Sequence, residues 1–268
     1  SIKLRPSKRV QINTVLSSGF RNPNIDDIGK IRENNGLLVV PNTFLKPEYA
    51  YNLDLGVDFR SLNNANYISL RGFSTIISRH IGRDEYIVFS DITTPDLSTI
   101  IYNGEEVITI SNKNLGNRFI HGFSIDGFSK IMSNLKLNYG LTYTKGDNNE
   151  TYGPLPSISP LFGSIAISYS KRGFNLRAVY KFSDAKNPSE YSFGGEDGLD
   201  ETPFLINSEG LLSYLGTPKW SDLSIFGSKN ISSNVTLRLG LTNVFDSHYR
   251  TFASGISAPG RSLSLIHI

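Results

Sequence analysis

The chain has 268 residues, 38% hydrophobic and 19% charged, which suits one large domain or two small ones. It contains no cysteine, which excludes disulfides, thiolate metal sites and cysteine nucleophiles. The net charge is only +3 and no basic run is interleaved with aromatic residues, so nucleic acid is not an expected partner. No apolar run reaches the roughly 18 residues that a transmembrane helix needs.

Apolar and polar residues alternate along much of the chain, a period of two that predicts β-strands with unlike faces. The clearest case is 48–60, where Tyr49 to Phe59 place an apolar side chain at every odd position. Most predicted strands approach the 9–11 residues of a tilted membrane strand, whereas soluble strands more often stop at about 5–6. Ten strands are predicted, in chain order, at 8–17, 48–60, 65–77, 118–129, 135–144, 161–171, 174–183, 220–229, 235–242 and 260–268.

The connections between these strands alternate between long and short without exception. Outer-membrane barrels have this arrangement, because their periplasmic turns are short and their extracellular loops long. The fold class predicted is therefore all-β, an antiparallel transmembrane β-barrel, with a soluble β-sandwich as the alternative. The long connections are 18–47, 78–117, 147–160, 185–219 and 246–259.

The two faces of the predicted strands differ in the way a barrel wall requires. Aromatic residues lie near the strand ends, where two interfacial girdles are expected. Charged side chains on the opposite face would be costly against lipid, so we expect them to line a wet or plugged interior. The polar positions are Asn52, Asp54, Asp58, Arg60, Lys136, Asn138, Arg177, Lys181 and Arg238. Ten strands alone enclose only a narrow lumen, so a transport path needs more strands.

Four landmarks in order along the chain resemble one protein family. They are Ser18–Lys30 with the following 40–56, Tyr152–Gly163, Thr217–Trp220, and the final hairpin Leu239–Leu265. Together they resemble TonB-dependent outer-membrane receptors for haem, haemoglobin or ferric siderophores, especially the Bacteroidetes-like versions. The resemblance covers most of the chain from about residue 18 to the end.

This resemblance implies a 22-stranded barrel, closed by an N-terminal plug, in the outer membrane of a Gram-negative bacterium. Residues 1–268 would be the C-terminal part of that barrel domain, lacking the plug, the N-terminal strands and the TonB box. The implied partners are those missing parts, the TonB complex, outer-membrane lipid and lipopolysaccharide. Because the chain starts at Ser1 without a methionine or signal peptide, we expect part of a longer precursor or one piece of a split receptor. The family generally ends on an aromatic residue, whereas this chain ends at Ile268.

The function implied is TonB-dependent active uptake of a scarce nutrient, with an iron complex, haem or a ferric siderophore, as ligand. The candidate ligand-binding residues of the extracellular loops are Arg21, His80 and His248. Arg21 is chosen because it lies in a family-like motif, and the two histidines because neutral imidazole is a good axial ligand for iron. The histidine that haem receptors of this family commonly carry between 21 and 48 is absent. Neither a catalytic residue nor a resident metal or cofactor is predicted. Four further loop residues, Tyr86, Asp91, Asp96 and Tyr102, are weaker candidates for recognition of a siderophore or sugar.

The alternative function is a small stand-alone ten-stranded outer-membrane barrel that acts as a surface protease or adhesin. A protease of this kind pairs Asp and His residues at its outer rim to activate water. Asp26 and Asp27, with Asp246 and His248, could form such a set. However, Asp26 and Asp27 belong to the receptor-like motif, and adjacent carboxylates point apart in a strand, while Asp246 and His248 are as readily turn residues. The sequence contains no P-loop, nucleophile elbow or His-Glu-x-x-His motif, so the prediction is that the chain is not an enzyme.

Overall fold

The main feature of the computed structural model, which describes residues 1–87, 89–91, 94–97, 99–194 and 197–267, is one eleven-stranded sheet. Every neighbouring pair in it is antiparallel, and the strands follow one another in chain order. Labelled β1 to β11, they are Ile2–Leu4, Val10–Arg21, Glu48–Arg60, Asn66–Ser78, Arg118–Met132, Leu135–Gly146, Phe162–Lys171, Phe174–Ser183, Trp220–Asn230, Thr236–Thr242 and Ser262–His267.

The sequence prediction of ten strands missed β1. That strand is only three residues long and pairs with Ile12 to Thr14 of β2 across a tight turn, so no alternating run marks it. The second strand also extends to Arg21 instead of ending at residue 17, because its register with β3 continues to the pair Arg21 and Glu48. The remaining nine predicted strands are confirmed with shifts of a few residues at their ends.

The predicted alternation of connections is confirmed. Short turns at 5–9, 61–65, 133–134, 172–173 and 231–235 alternate with long connections at 22–47, 79–117, 147–161, 184–219 and 243–261. Since neighbouring strands are antiparallel, all five long connections emerge at one end of the sheet, here called the loop end. The opposite end, which carries the short turns, is called the turn end.

The two faces of the sheet differ as predicted. On β3 the odd-numbered side chains are apolar and exposed, with Tyr51 at 54% and Leu55 at 53% of their full accessibility. The even-numbered side chains are less exposed and bond to one another: Asn52 Nδ2 donates to Asp54 Oδ2 at 2.6 Å, and Thr75 Oγ1 donates to Asn52 Oδ1 at 2.7 Å. We call the apolar face outward and the polar face inward.

The long connections, in which no strand was predicted from the sequence, contain regular structure. Connections 22–47 and 79–117 together build a second sheet, in which Leu37–Val39 pairs in parallel with Ile108–Ile110. Its core is small, with Leu38, Val107 and Ile110 at most 3% exposed. The strands of this loop sheet are Arg32–Asn34, Leu37–Val39, Ile81–Glu85, Thr99–Tyr102 and Glu105–Asn114.

Only short elements occupy the rest of the long connections. The single α-helix of the described ranges, α1, spans Ile25–Gly29, and no described helix is long and apolar enough to cross a membrane. The remaining pieces are the 3-10 turns Pro188–Glu190 and Leu199–Glu201 and the strands Phe89–Asp91, Thr94–Leu97, Asn148–Asn149, Gly153–Pro154, Phe204–Ile206 and Leu212–Tyr214.

Gly122 is required by the packing of the inward face. The ring of its cross-strand partner Phe73 covers it, so a Cβ at this position would lie 2.3 Å from the carbonyl oxygen of Tyr143 and 2.7 Å from the Phe73 ring. We predict that Gly122→Ala lowers the unfolding midpoint of the detergent-solubilised protein, because overpacking of this kind costs about 1–3 kcal/mol. Heat-induced loss of the folded band on a gel measures the effect.

The matched control is Gly227→Ala on β9, where an added Cβ meets no atom within 4 Å. Its unfolding midpoint should stay close to that of the parent protein. Equal midpoints for the two variants would contradict the assignment of Gly122 to a closed contact.

Candidate functional site

The long connections form two clusters of polar side chains at the loop end. The first, the rim cluster, consists of Arg21, Asp27, Glu48 and His80, at the loop end of β2 and β3. The second, the loop cavity, is enclosed by the connections 22–47, 184–219 and 243–261. The two clusters differ in charge pairing. Arg21, Asp27 and Glu48 of the rim cluster form ion pairs with each other, whereas several charged side chains of the loop cavity form no ion pair within the described residues.

Glu48 is the centre of the rim cluster. Its carboxylate accepts hydrogen bonds from Arg21 Nε at 2.9 Å and from the backbone N–H of Ile81 at 2.8 Å. Arg21 Nη1 also donates to Asp27 Oδ2 at 2.8 Å. Asp27 in turn closes a capping box with Asn24, and so it fixes the start of α1. The cluster thereby ties the connection 22–47 to the wall of the sheet.

His80 packs against the rim cluster. Its Nδ1 lies 3.5 Å from Glu48 Oε2, and the residue is only 9% exposed. Gly82 closes its other side, because a Cβ there would come within 3.1 Å of His80 Nε2. Two of the three predicted ligand residues, Arg21 and His80, therefore lie beside the carboxylate of Glu48. The imidazole of His80 is buried.

The loop cavity has a volume of about 780 Å³. Three cationic residues line it, Arg32 from the loop sheet, Lys219 from the end of the connection 184–219 and Arg250 from the last connection. The acidic residues Asp197, Asp200 and Glu201 line the same cavity. Arg250 Nη1 donates to the backbone carbonyl of Glu201 at 3.1 Å, and Asp200 accepts a hydrogen bond from Asn35 at 2.8 Å. His248, the third predicted ligand residue, also lines the cavity and is exposed.

Stacked rings hold the last connection beside the cavity. The rings of Trp220 and Tyr249 are 4.3 Å apart and inclined by only 15°. Burial raises the pKa of Tyr249, and the carboxylate of Asp222 raises it further, so this phenol is neutral at physiological pH. His248 and Arg250 flank Tyr249 in the sequence, so the stack fixes the backbone from which both side chains extend.

A buried ion pair supports the cavity from below. Lys186 Nζ lies 3.2 Å from Asp197 Oδ2, and the two side chains are 3% and 1% exposed. The same ammonium donates to the carbonyl of Ile158 at 2.7 Å and lies 4.0 Å from the ring of Phe252. Burial lowers the pKa of Lys186, while Asp197 opposes that shift. One side chain thus links the connections 147–161, 184–219 and 243–261.

Two polar residues, Asn243 and Asp246, bond the start of the last connection to its end. Asn243, which has a positive φ of 49°, donates from Nδ2 to the carbonyls of Ser247 at 2.9 Å and Pro259 at 3.0 Å. Asp246 Oδ1 accepts from the backbone N–H of Arg261 at 2.7 Å. Asn243 and Asp246 of the final hairpin therefore fix the shape of the loop. The exposed side chains between its ends, such as His248 and Arg250, remain accessible to a ligand.

The Asp and His residues considered for the protease alternative are not assembled into one site in the described residues. Asp27 is engaged by Arg21 and the capping box, and Asp246 is engaged by the backbone of the final hairpin. Over the ranges that the structure describes, no three His, Asp or Glu side chains are grouped so that they could hold a metal ion.

The weaker candidates are dispersed. Tyr86 lies beneath Lys113, whose Nζ is 5.9 Å from its ring centre, and Tyr102 closes the hairpin of the loop sheet. The side chains of Asp91 and Asp96 lie outside the described part of the structure. Sequence reasoning missed Lys186 and Asp197, because nothing in a polar connection signals which Lys will be buried.

Comparison with known proteins gives one consistent family. The chain is 24% identical over 264 residues to the haemoglobin-haptoglobin utilization protein B of Neisseria meningitidis serogroup C, covering 93% of this chain and 31% of that protein. It is 23% identical over 267 residues to the haemoglobin and haemoglobin-haptoglobin-binding protein A of Haemophilus influenzae, covering 95% and 23%. The chain therefore spans about a quarter to a third of the length of these curated relatives.

A solved structure agrees on the fold. The siderophore receptor PirA of Acinetobacter baumannii matches with a TM-score of 0.69 at 19% identity, over 97% of this chain and 39% of that one. The family model described as TonB dependent receptor-like, beta-barrel matches residues 3–244. This chain therefore belongs to the TonB-dependent receptor-like β-barrel family of the outer membrane.

Proposed function

We propose that the chain forms the C-terminal part of the barrel of a receptor that imports an iron complex, in the first place haem taken from haemoglobin. The observation that carries this proposal is the likeness, over at least 93% of the chain, to proteins named for the use or binding of haemoglobin. A ferric siderophore is the second candidate, supported by the fold of a siderophore receptor alone.

The loop cavity is the proposed ligand site. Its volume of about 780 Å³ lies within the range of about 300–1,000 Å³ that is usual for small-molecule sites. Haem carries two carboxylates, which the cations Arg32, Lys219 and Arg250 would attract. The exposed imidazole of His248 would supply an axial nitrogen to the iron. Arg21 and His80 remain predicted ligand contacts, but the ion pair of Arg21 with Glu48 and the 3.5 Å approach of His80 to the same carboxylate favour a role in fixing the rim.

Further strands and a plug would complete the receptor. In the described part of the chain, β1 pairs only with β2 and β11 only with β10, so two strand edges are open. Backbone N–H and C=O groups cannot remain unpaired in the hydrocarbon layer, where no water is available. We propose that N-terminal strands of the same receptor cover these edges, that a plug fills the lumen, and that the TonB complex drives transport.

The three residues of the sequence prediction can be tested together on the full-length receptor. Haem added to the purified receptor should produce a shifted Soret band, and His248→Ala should abolish this shift, because the variant removes the proposed axial nitrogen. His80→Gln and Arg21→Lys should retain it, since both residues face Glu48.

The comparison between His248 and His80 decides where the ligand binds. Loss of the shift in His80→Gln, with an unchanged shift in His248→Ala, would contradict the loop cavity and move the site to the rim cluster. Absence of any shift in the parent receptor, together with binding of a ferric siderophore, would overturn haem as the ligand.

The cavity should depend on the buried pair below it. Lys186→Ala leaves the Asp197 carboxylate buried without its partner, which costs about 3–5 kcal/mol in comparable pairs. We predict faster amide hydrogen exchange throughout 184–219 and 243–261 and weaker haem binding.

The matched control replaces both charges, as Lys186→Met with Asp197→Leu, since apolar side chains of similar volume often restore the stability of a buried pair. Exchange in both connections should then return towards the parent rate. If Lys186→Ala exchanges no faster than the parent, the pair does not support the cavity wall.

A further inference from the structure

The loop sheet contains two hairpin turns with the same sequence, Asn35-Gly36 and Asn103-Gly104, and each joins two neighbouring strands. They are the only Asn-Gly pairs among the 268 residues. The φ angles are 51° and 77° in the first turn and 50° and 90° in the second, as a type I′ turn requires. Both asparagines are exposed. The chain thus carries two chemically equal sites that differ in their surroundings.

An asparagine followed by glycine can react with its own backbone. The glycine nitrogen attacks the side-chain carbon Cγ of the asparagine, a C–N bond forms, and the side-chain nitrogen leaves as ammonia with the proton of the attacking amide. Water then opens the resulting succinimide ring at either carbonyl and yields aspartate or isoaspartate. The reaction is intramolecular and needs no enzyme, so its rate depends on how easily the two groups reach each other.

The first turn is held away from this reaction by three hydrogen bonds. Asn35 Nδ2 donates to Asp200 Oδ2 at 2.8 Å, so the carboxamide is bound to another connection. The N–H of Gly36 donates to Glu33 Oε1 at 3.0 Å, and this carboxylate disfavours loss of the amide proton. The carbonyl of Gly36 accepts from the N–H of Ile108 at 2.8 Å. Both reacting groups of the first turn are therefore engaged.

The second turn has no corresponding bonds. Within the described part of the chain, neither the carboxamide of Asn103 nor the N–H of Gly104 forms a hydrogen bond. A Cβ placed on Gly36 or on Gly104 would meet no atom within 4 Å, so crowding does not distinguish the two turns. The difference between them lies in the hydrogen bonds alone.

We propose that Asn103 is a site of spontaneous deamidation and that the bonds to Asp200 and Glu33 protect Asn35 from the same change. At Asn103 the product adds a negative charge beside Glu105, and isoaspartate lengthens the backbone of a two-residue turn. At Asn35 the product would set a carboxylate against Asp200, which lines the loop cavity, and would separate the loop sheet from the cavity wall. This modification site is independent of the imported ligand.

The test follows both turns in one sample of the purified full-length receptor. The receptor is kept in mildly alkaline buffer made with heavy-oxygen water, which labels only asparagines that deamidate during the incubation. The two peptides are then quantified by mass spectrometry, and isoaspartate is detected with an isoaspartate-specific methyltransferase. We expect Asn103 to convert about tenfold faster than Asn35, because reaction at Asn35 must first break one or two ordinary hydrogen bonds.

The matched control is the same receptor unfolded in guanidinium, where the two Asn-Gly pairs should react at similar rates. In the folded receptor, Asp200→Ala and Glu33→Ala should each speed conversion at Asn35, while the rate at Asn103 stays unchanged and reports an intact loop sheet. Equal rates at the two sites of the folded parent, or faster conversion at Asn35, would overturn the proposal. So would an unreactive Asn103 in the folded parent, or an unchanged rate at Asn35 in both variants.

Discussion

The structure depends on the need to pair every backbone N–H and C=O group in a medium that offers no water. Neighbouring strands of this chain meet that need by antiparallel pairing in chain order, from β1 to β11. The side-chain period of two then separates an apolar outward face from a polar inward face. Because neighbouring strands are antiparallel and long connections alternate with short turns, all long connections lie at one end of the sheet, where they can form a site.

The period of two made most of the sheet predictable. It marked ten of the eleven strands, β2 to β11, since each of them has one face in each environment, although it ended β2 too early. The three-residue strand β1 has too few side chains to show a period. The parallel pairing in the loop sheet left no local pattern, because it joins Leu37–Val39 to residues about seventy positions away. The two hairpins of that sheet do carry a local signal that the strand prediction did not use, the Asn-Gly pairs at 35–36 and 103–104, whose positive φ angles form the turns.

The candidate site was less predictable than the fold. The final hairpin was recognisable, yet Asn243 and Asp246 prove to close the loop on itself, and the neighbouring His248 and Arg250 face the cavity. Likewise Arg21 and His80 were chosen for their chemistry, and Glu48 holds both at the rim. Composition identifies a suitable side chain, but only its hydrogen-bond partners decide whether it is available to a ligand.

Whether this receptor imports haemoglobin iron is decided by the uptake of radioactive iron into cells that carry the full-length receptor, with haemoglobin as the only iron source. We predict uptake that requires an energised TonB complex and falls strongly in His248→Ala. Iron uptake from haemoglobin that is unchanged when the receptor or TonB is removed would contradict it.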